Sequence, residues 1–197
     1  MYYLSEQIKF ESIIDKSRFI AIITPISDSN EIQSVLKTIK KQYPKATHYC
    51  SAYITESGTG SSDDGEPSGT AGVPILEILN KYQLKDVYAV VVRYFGGIKL
   101  GAGGLIRAYA GTTKDALSSA KLLKKVTTRN YMVTFSYDKI HLMDQIFGEF
   151  IKEKTFEKDV TYTLSFMDST NLLDEYAYLM MAVKDLGFKE ILIPWPK

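Results

Sequence analysis

The sequence predicts an α+β protein with two domains, over residues 1–126 and 130–197. Strand-like and helix-like patterns alternate along the first part of the chain. They begin again after a stretch from Ala116 to Tyr137 that contains no acidic residue. With 197 residues and 45% hydrophobic content, the chain can bury one large core or two small ones, so two domains are physically reasonable.

The first domain is predicted to open with a hairpin. Two apolar stretches of strand length, 8–14 and 18–26, flank a polar turn at 15–17. A helix is expected from Ile32 to Tyr43, because apolar residues recur there at helical spacing after candidate N-caps at 28–30.

Two glycine-rich loops are predicted in the rest of this domain, and nine of the 13 glycines lie between Ser61 and Leu117. A strand over 48–54 leads into the first loop, from Gly58 to Gly72. A short helix over 73–82 and a buried strand over 87–95 come next. The second loop, from Gly96 to Gly104, ends where the next helix is expected to start, just after Gly103 and Gly104.

The second domain is predicted to have the order βαββαβ, which is typical of ferredoxin-like domains. We expect strands at 131–136, around Thr155, at 160–166 and at 188–193, with helices at 138–150 and 172–186. Gly187 is in the position of a helix C-cap, and Asp168 to Thr170 offer N-caps for the last helix.

Charge and cysteine content exclude several classes of protein. The net charge of +1 is too small for a protein that coats nucleic acid, so any nucleic-acid contact needs a local basic patch. Cys50 is the single cysteine and has no internal disulfide partner. The N-terminal residues do not have the pattern of a secretory signal, and the longest apolar runs are too short to span a bilayer. We therefore expect a cytoplasmic protein that does not associate with a membrane.

The second glycine-rich loop is the better candidate for an anion site. A helix start with unpaired N–H groups attracts phosphate or carboxylate, and Arg93, Lys99 and Arg107 add positive charge. The spacing matches neither the P-loop nor the dinucleotide fingerprint. The glycines could equally serve only a tight strand-to-helix connection.

Three carboxylates, Asp63, Asp64 and Glu66, lie close together in the first loop and are followed by Ser68. They could hold Mg²⁺, or they could pair with Arg93 and Arg107 and so order the loop. The spacing of a calcium-binding loop is absent, and Asp-Gly is also an ordinary turn sequence.

His48 and Cys50 share one face of the strand before this loop. A Cys–His nucleophile oriented by Asp64 or Glu66 is therefore conceivable. The alternative is that both residues belong to a half-buried strand, where positions i and i+2 are too far apart for an easy hydrogen bond. We expect no cofactor and no resident metal. The sequence does not identify catalytic residues, and His48, Cys50, Asp64 and Glu66 are weak candidates.

Four motifs resemble the YigZ/IMPACT family, and in particular its two-domain bacterial members. They are S-S-D-D-G-E-P-S-G-T-A-G at 61–72, V-V-R-Y-F-G-G-I-K-L-G-A-G-G-L-I-R-A-Y at 91–109, K-S-R-F-I-A at 16–21 and H-Y-C-S-A-Y at 48–53. The resemblance implies that the first domain is of the ribosomal protein S5 domain 2 type. It also implies that the second domain is ferredoxin-like and similar to the last domain of elongation factor G.

For bacterial members, the resemblance further implies association with nucleic acid or the ribosome, and it attaches no reaction to the fold. Our leading hypothesis is a translation-associated regulatory protein, without enzymatic activity, that binds RNA, the ribosome or another phosphate-bearing ligand. A translation-related protein is a further possible partner. The eukaryotic members act with an additional N-terminal domain, so their specific role is not expected here. The predicted ligand-binding residues line a cleft in the first domain: Asp63, Asp64, Glu66, Ser68, Arg93, Gly96, Gly97, Lys99, Gly101, Gly103, Gly104 and Arg107.

Two other functions stay open. Because S5-type domains also occur in small-molecule kinases, one is a Mg²⁺-dependent enzyme that acts on a nucleotide or a phosphorylated metabolite. The other is a protein-interaction module whose charged cleft receives an acidic peptide segment.

Overall fold

A computed structural model describes residues 1–167 and 171–195, and the chain divides into two compact units. The first unit contains residues 1–124 together with Pro194 and Trp195, and the second contains residues 125–193. Both units combine helices with antiparallel strands. The predicted α+β class is therefore confirmed.

The first unit is built on a five-stranded sheet in which every pair of neighbouring strands is antiparallel. The strand order is β2-β3-β6-β4-β5. A short strand, β1, precedes the sheet and pairs with residues 122–124. The strands are β1 (Tyr2–Leu4), β2 (Ile8–Ile14), β3 (Ser17–Pro25), β4 (His48–Thr55), β5 (Gly58–Ser62) and β6 (Val87–Tyr94).

Helices cover both faces of this sheet, because alternate residues of its central strands are apolar on both sides. Helices α2 (Gly72–Lys81) and α3 (Gly101–Ser118) pack on the face that contains Phe19 and Val91. Helix α1 (Ile32–Gln42) packs on the face that contains Ile20. A short 3₁₀ turn with a capping box between Asp28 and Glu31 starts α1.

The predicted hairpin, the first two helices and the central strands are found in the first unit, but both glycine-rich loops are shorter than expected. Gly58–Ser62 forms β5, which pairs with β4, so the first loop covers only residues 63–71. Helix α3 begins at Gly101, so Gly103 and Gly104 lie in its first turn rather than before it. Strand β1 was not predicted from the sequence.

In the second unit, β7 pairs with β9 and with β10, and β9 also pairs with β8, so these strands have the order β10-β7-β9-β8. Val133, Phe135, Tyr162 and Leu164 of the two middle strands pack with Phe147 to form its core. The elements are β7 (Leu122–Phe135), α4 (Ile140–Phe147), β8 (Ile151–Phe156), β9 (Val160–Phe166), α5 (Leu172–Glu175) and β10 (Ala182–Pro194).

The helix predicted over 172–186 is wrong beyond its first turn. α5 has four residues, and the Met181 N–H already donates to the Thr134 carbonyl of β7 at 2.8 Å. Gly187 is therefore not a helix cap. It lies inside β10 with φ +80°, and its N–H donates to Asp185 Oδ1 at 2.8 Å. The N-caps proposed at 168–170 lie outside the described residues.

Two other predicted boundaries in this unit are also wrong. β7 starts at Leu122 rather than at residue 131, so residues 122–130, which include Lys124, Lys125 and Arg129, are part of the strand. The helix predicted over 138–150 consists of α4 between two single 3₁₀ turns. Among the described residues, no helix combines the length and the apolar composition that a bilayer crossing requires.

A tight contact holds the end of β6 against the β2–β3 turn. A Cβ atom at Gly96 would lie 2.0 Å from the backbone of Lys16, and the Gly96 N–H donates to Ser17 Oγ at 3.2 Å. Because Lys16 itself has φ +62°, this backbone has little freedom to move away.

We expect Gly96→Ala to lower the free energy of unfolding by about 1–3 kcal/mol, because the added methyl group overlaps backbone atoms. Urea denaturation followed by circular dichroism measures the change. The matched control is Gly111→Ala in α3, where a Cβ atom meets nothing within 4 Å and a helical alanine should stabilise by about 0.5–1 kcal/mol. Equal midpoints for Gly96→Ala and the unaltered protein would contradict this expectation.

Candidate functional site

Arg93 lies at the end of the central strand β6, with Phe19 of β3 and His48 of β4 as its cross-strand neighbours. The residue is only 4% exposed. Its guanidinium carbon lies 5.3 Å from the centre of the Phe19 ring and 5.4 Å from that of Phe95. A charge buried among aromatic rings needs a compensating partner.

Glu66 of the first loop is that partner. Arg93 Nη1 donates to Glu66 Oε1 at 2.6 Å, and both side chains are buried. The Tyr109 hydroxyl of α3 donates to the same oxygen at 2.8 Å, and His48 Nε2 lies 3.9 Å from it. Ser17 Oγ accepts from Arg93 Nη2 at 3.4 Å, whereas Arg93 Nε has no hydrogen-bond partner among the described residues.

The two aspartates of the first loop bind backbone groups instead. Asp63 accepts N–H groups from Gly69, Ala71 and Gly72, at distances between 2.8 and 3.0 Å, and so caps the start of α2. Burial alone would raise the pKa of Asp63, but the three N–H donors outweigh burial and lower this pKa.

Asp64 fixes the first loop to the start of β4. Its Oδ2 accepts the Tyr49 N–H at 2.6 Å. Its backbone carbonyl lies 2.8 Å from His48 Nδ1. Because a carbonyl oxygen only accepts, His48 Nδ1 is the donor in this hydrogen bond, and His48 Nε2 faces Glu66.

These contacts leave no preformed Mg²⁺ site in the first loop. The carboxylates of Asp63, Asp64 and Glu66 are bound by three different sets of protein donors. In the part of the chain that the structure describes, no three His, Cys, Asp or Glu residues are grouped to hold a metal ion. Of the ion pairs predicted between this loop and Arg93 or Arg107, the structure forms only the one between Glu66 and Arg93.

Cys50 is buried beneath this loop. Its Sγ lies 2.9 Å from the Asp63 carbonyl oxygen and 3.3 Å from the Tyr109 hydroxyl oxygen. Burial raises the pKa of the Cys50 thiol to about 12. The Tyr109 hydrogen bond opposes this rise and the nearby Glu66 carboxylate adds to it. A buried thiol that stays protonated at neutral pH is a poor nucleophile, which argues against the Cys–His alternative.

The second loop leaves its basic residues exposed. Gly97 and Gly101 have φ values of +90° and +67°, and α3 starts at Gly101 with no side-chain cap from Leu100. Lys99 and Arg107 are exposed. A Cβ atom at Gly103 would lie 3.5 Å from Arg107 Nη1, so the guanidinium folds back over the first turn of α3. We call residues 97–104 with the Arg107 side chain the α3 entry.

The predicted site residues therefore fall into two groups. Glu66, Arg93 and Cys50 are buried close together, and half-buried His48 lies beside them under the same loop as Asp63 and Asp64. The α3 entry and Ser68 are exposed. Arg93 does not offer a free charge to a ligand, which corrects the expectation that it lines an anion site. Tyr109 also belongs to the buried group, although it was not predicted from the sequence.

We expect Glu66→Gln to lower the free energy of unfolding by about 3–5 kcal/mol, because it leaves the buried Arg93 charge unpaired. The matched control is Glu11→Gln, which removes an exposed ion pair with Arg18 and should cost about 1 kcal/mol or less. Denaturant titration of the two variants checks this. Similar losses in both would show that the Arg93 charge is solvated rather than buried.

Cys50 should resist alkylation. At pH 8 we expect iodoacetamide to modify the native protein at least about 100-fold more slowly than the urea-unfolded chain, because a thiol with a pKa near 12 is almost entirely protonated at pH 8. Mass spectrometry of timed samples gives both rates. A native rate within tenfold of the unfolded rate would instead show an accessible and activated thiol.

Comparison with known proteins adds independent information. Residues 15–117, more than half of the chain, match the Impact N-terminal domain family. The chain is 48% identical over 131 residues to the IMPACT family member YvyE of Bacillus subtilis, which covers 65% of this chain and 60% of YvyE. The aligned stretch is thus less than two-thirds of the length of YvyE.

An IMPACT family member of Haemophilus influenzae is 36% identical over 169 residues, which is 82% of each chain. Among solved structures, one described as the crystal structure of a hypothetical protein is 26% identical, with a TM-score of 0.61. The match covers 94% of this chain and 96% of the other. The extent and identity of these matches confirm the resemblance seen in the glycine-rich motifs, and the chain belongs to the IMPACT family.

Proposed function

We propose that the chain is a translation-associated regulatory protein that binds RNA, as free RNA or on the ribosome, through phosphate contacts at the α3 entry. Membership of the IMPACT family supports the link to translation. One structural observation supports this binding site: within the described residues, α3 starts without a side-chain cap from Leu100, and this start is exposed together with Lys99 and Arg107.

The α3 entry has the chemistry that a phosphate group requires. The first N–H groups of a helix have no partner within the helix, and the helix dipole adds a partial positive charge there. The glycines permit a close approach of the ligand to this backbone. No acidic residue occurs between Asp86 and Asp115, so β6 and α3 add no negative charge of their own at the entry.

The first loop would support this site without touching the ligand. Its carboxylates are bound by internal donors, so they do not neutralise Lys99 or Arg107, and neither cation forms an ion pair within the described residues. Arg93 would position the second loop through Phe95, while its own charge is balanced by Glu66.

For the fold, we propose that residues 1–126 and 130–197 are separate domains, the first of the S5 domain 2 type and the second ferredoxin-like. The antiparallel five-stranded sheet with helices on both faces supports the first assignment. The strand order β10-β7-β9-β8 and the element order of the second unit support the second.

We expect Lys99→Ala/Arg107→Ala to weaken binding to ribosomal subunits and to single-stranded RNA, whatever the RNA sequence. The slope of log K against log salt should fall by about one for each phosphate that the variant no longer neutralises. Co-sedimentation and fluorescence anisotropy at several salt concentrations measure both quantities. The control is Lys37→Ala, an exposed lysine on α1, on the opposite face of the sheet.

Equal affinities and salt slopes for the double variant and the control would rule out the α3 entry as the RNA site. Two further ligands separate the remaining functions. If an acidic peptide binds and RNA does not, the chain is a protein-interaction module. A ligand at 100 times its Kd stabilises the folded protein by about 2.7 kcal/mol, which a thermal-shift assay detects. A shift with a nucleotide and Mg²⁺, but not with RNA or an acidic peptide, would favour an enzyme.

A further inference from the structure

Strand β10 is an exposed edge that its own unit does not cover. It stands at one end of the sheet order, and β7 is the one strand with which it pairs among the described residues. None of its side chains belongs to the buried core of the second unit. Yet the strand carries large apolar residues that are exposed: Val183, Leu186, Leu192 and Phe188, the last of which is 73% exposed. A long apolar edge strand of this kind is a template for pairing with another chain.

The order of positive and negative residues in β10 is such that positions at equal distances before and after Gly187 have opposite charges. Lys184 and Asp185 precede this glycine by three and two residues, and Lys189 and Glu190 follow it by two and three. Positions equally distant from Gly187 therefore carry opposite charges. When two copies of such a strand pair antiparallel about a two-fold axis at the central residue, each charge lies opposite an unlike charge of the other copy.

Neither lysine of this pattern has a carboxylate partner among the described residues. The two carboxylates already interact with the neighbouring strand β7. Asp185 pairs with Arg129 at 2.6 Å, and Glu190 pairs with Lys125 at 3.0 Å. The pattern thus leaves one unpaired cation on each side of Gly187.

We propose that β10 pairs antiparallel with β10 of a second copy of this chain, about a two-fold axis at Gly187. Lys184 then lies opposite Glu190 of the second copy, and Lys189 lies opposite its Asp185. Each of these pairs occurs twice because of the symmetry. The same register places Leu186 opposite Phe188 of the second copy and so covers the most exposed ring of the strand.

The glycine at the axis fits this arrangement. Gly187 has no side chain, so the two backbones can approach each other there. Its N–H is bonded to Asp185 and its φ is positive, so the strand bends at this point. The inter-chain hydrogen bonds would accordingly form on the two sides of the axis rather than at Gly187 itself.

Sedimentation equilibrium of the full chain from 1 to 200 µM (chosen to span about two decades of Kd) tests the proposal. We expect a mass that rises from one chain to two. Carbodiimide, which joins only contacting lysine and carboxylate groups, is then applied to a mixture of ¹⁴N- and ¹⁵N-labelled protein. Mixed-isotope peptides that join Lys184 to Glu190 and Lys189 to Asp185 are expected.

Two variants test the register. Phe188→Glu should abolish the dimer, whereas Phe156→Glu should leave it intact, because Phe156 is a similarly exposed ring on β8 at the opposite edge of the sheet. Lys184→Glu should weaken dimerisation by about tenfold or more, since each glutamate then faces Glu190 of the other copy and the symmetric dimer contains two such pairs of like charges. Its control is Lys158→Glu in the β8–β9 turn, and melting temperatures check that every variant folds.

A single-chain mass at all concentrations with no mixed-isotope cross-link would overturn the proposal. The β10 charges would then serve only to discourage edge pairing. A dimer that survives Phe188→Glu, or that cross-links through other lysines, would also overturn it by placing the interface elsewhere.

Discussion

The buried ion pair between Glu66 and Arg93 joins segments that are far apart in the sequence. Arg93 belongs to the central strand β6, Glu66 to the loop before α2, and Tyr109, which shares the same carboxylate oxygen, to α3. A buried guanidinium without a counter-ion costs several kcal/mol. The first loop therefore has one arrangement, with the Glu66 side chain buried, that neutralises the Arg93 charge inside the first unit. We infer that the pair selects this loop conformation more than it adds net stability.

The remaining carboxylates of the loop are also held by internal donors. Asp63 binds the start of α2, and Asp64 binds the first residues of β4. All three negative charges are then used by internal donors. The consequence reaches beyond the loop, because Lys99 and Arg107 at the α3 entry form no ion pair within the described part of the chain. The first loop is acidic and the α3 entry is basic, yet the carboxylates of the loop do not neutralise Lys99 and Arg107.

Much of the first unit could be predicted from the sequence, because its signals are local. The capping residues of α1, the continuous apolar run of β6 and the turn at 15–17 each specify an element without reference to distant residues. The second unit was harder to predict at its C-terminal end. The apolar residues from Leu172 to Leu186 fit helical spacing, but pairing with β7 takes over from Met181. Such pairing between distant segments is invisible in a local pattern.

Gly187 shows the same limit at a single residue. The sequence indicated a glycine that needs a positive φ, and the structure has φ +80° there. A helix C-cap and an irregular strand both require that conformation, so the residue type alone could not distinguish them.

The sequence alone could name the segments of the candidate site, but it could not say which of their side chains would be buried. Glycine loops, carboxylates and arginines drew attention to these segments, yet nothing in the sequence distinguishes Arg93, which is buried, from Arg107, which is exposed. The difference arises because β6 is a central strand whose end is covered by the first loop, whereas Arg107 points back over an open helix start. Tyr109 was a possible clue, since a tyrosine on a buried helix face needs a partner for its hydroxyl group.

The two units differ in how far helices cover their sheets, and this difference affects which kinds of contact each unit can make. In the first unit, helices cover both faces of the sheet, and the α3 entry presents its charges and backbone N–H groups together with the exposed side chain of Ile98. In the second unit, α5 is a single turn and β10 remains bare. The first unit buries Arg93 with a dedicated counter-ion, whereas β10 of the second unit leaves Phe188 exposed beside Lys189, which has no carboxylate partner among the described residues. Contacts made through Lys99 and Arg107 should therefore weaken with salt, and those made by β10 should depend on apolar contact and strand pairing as well as on charge.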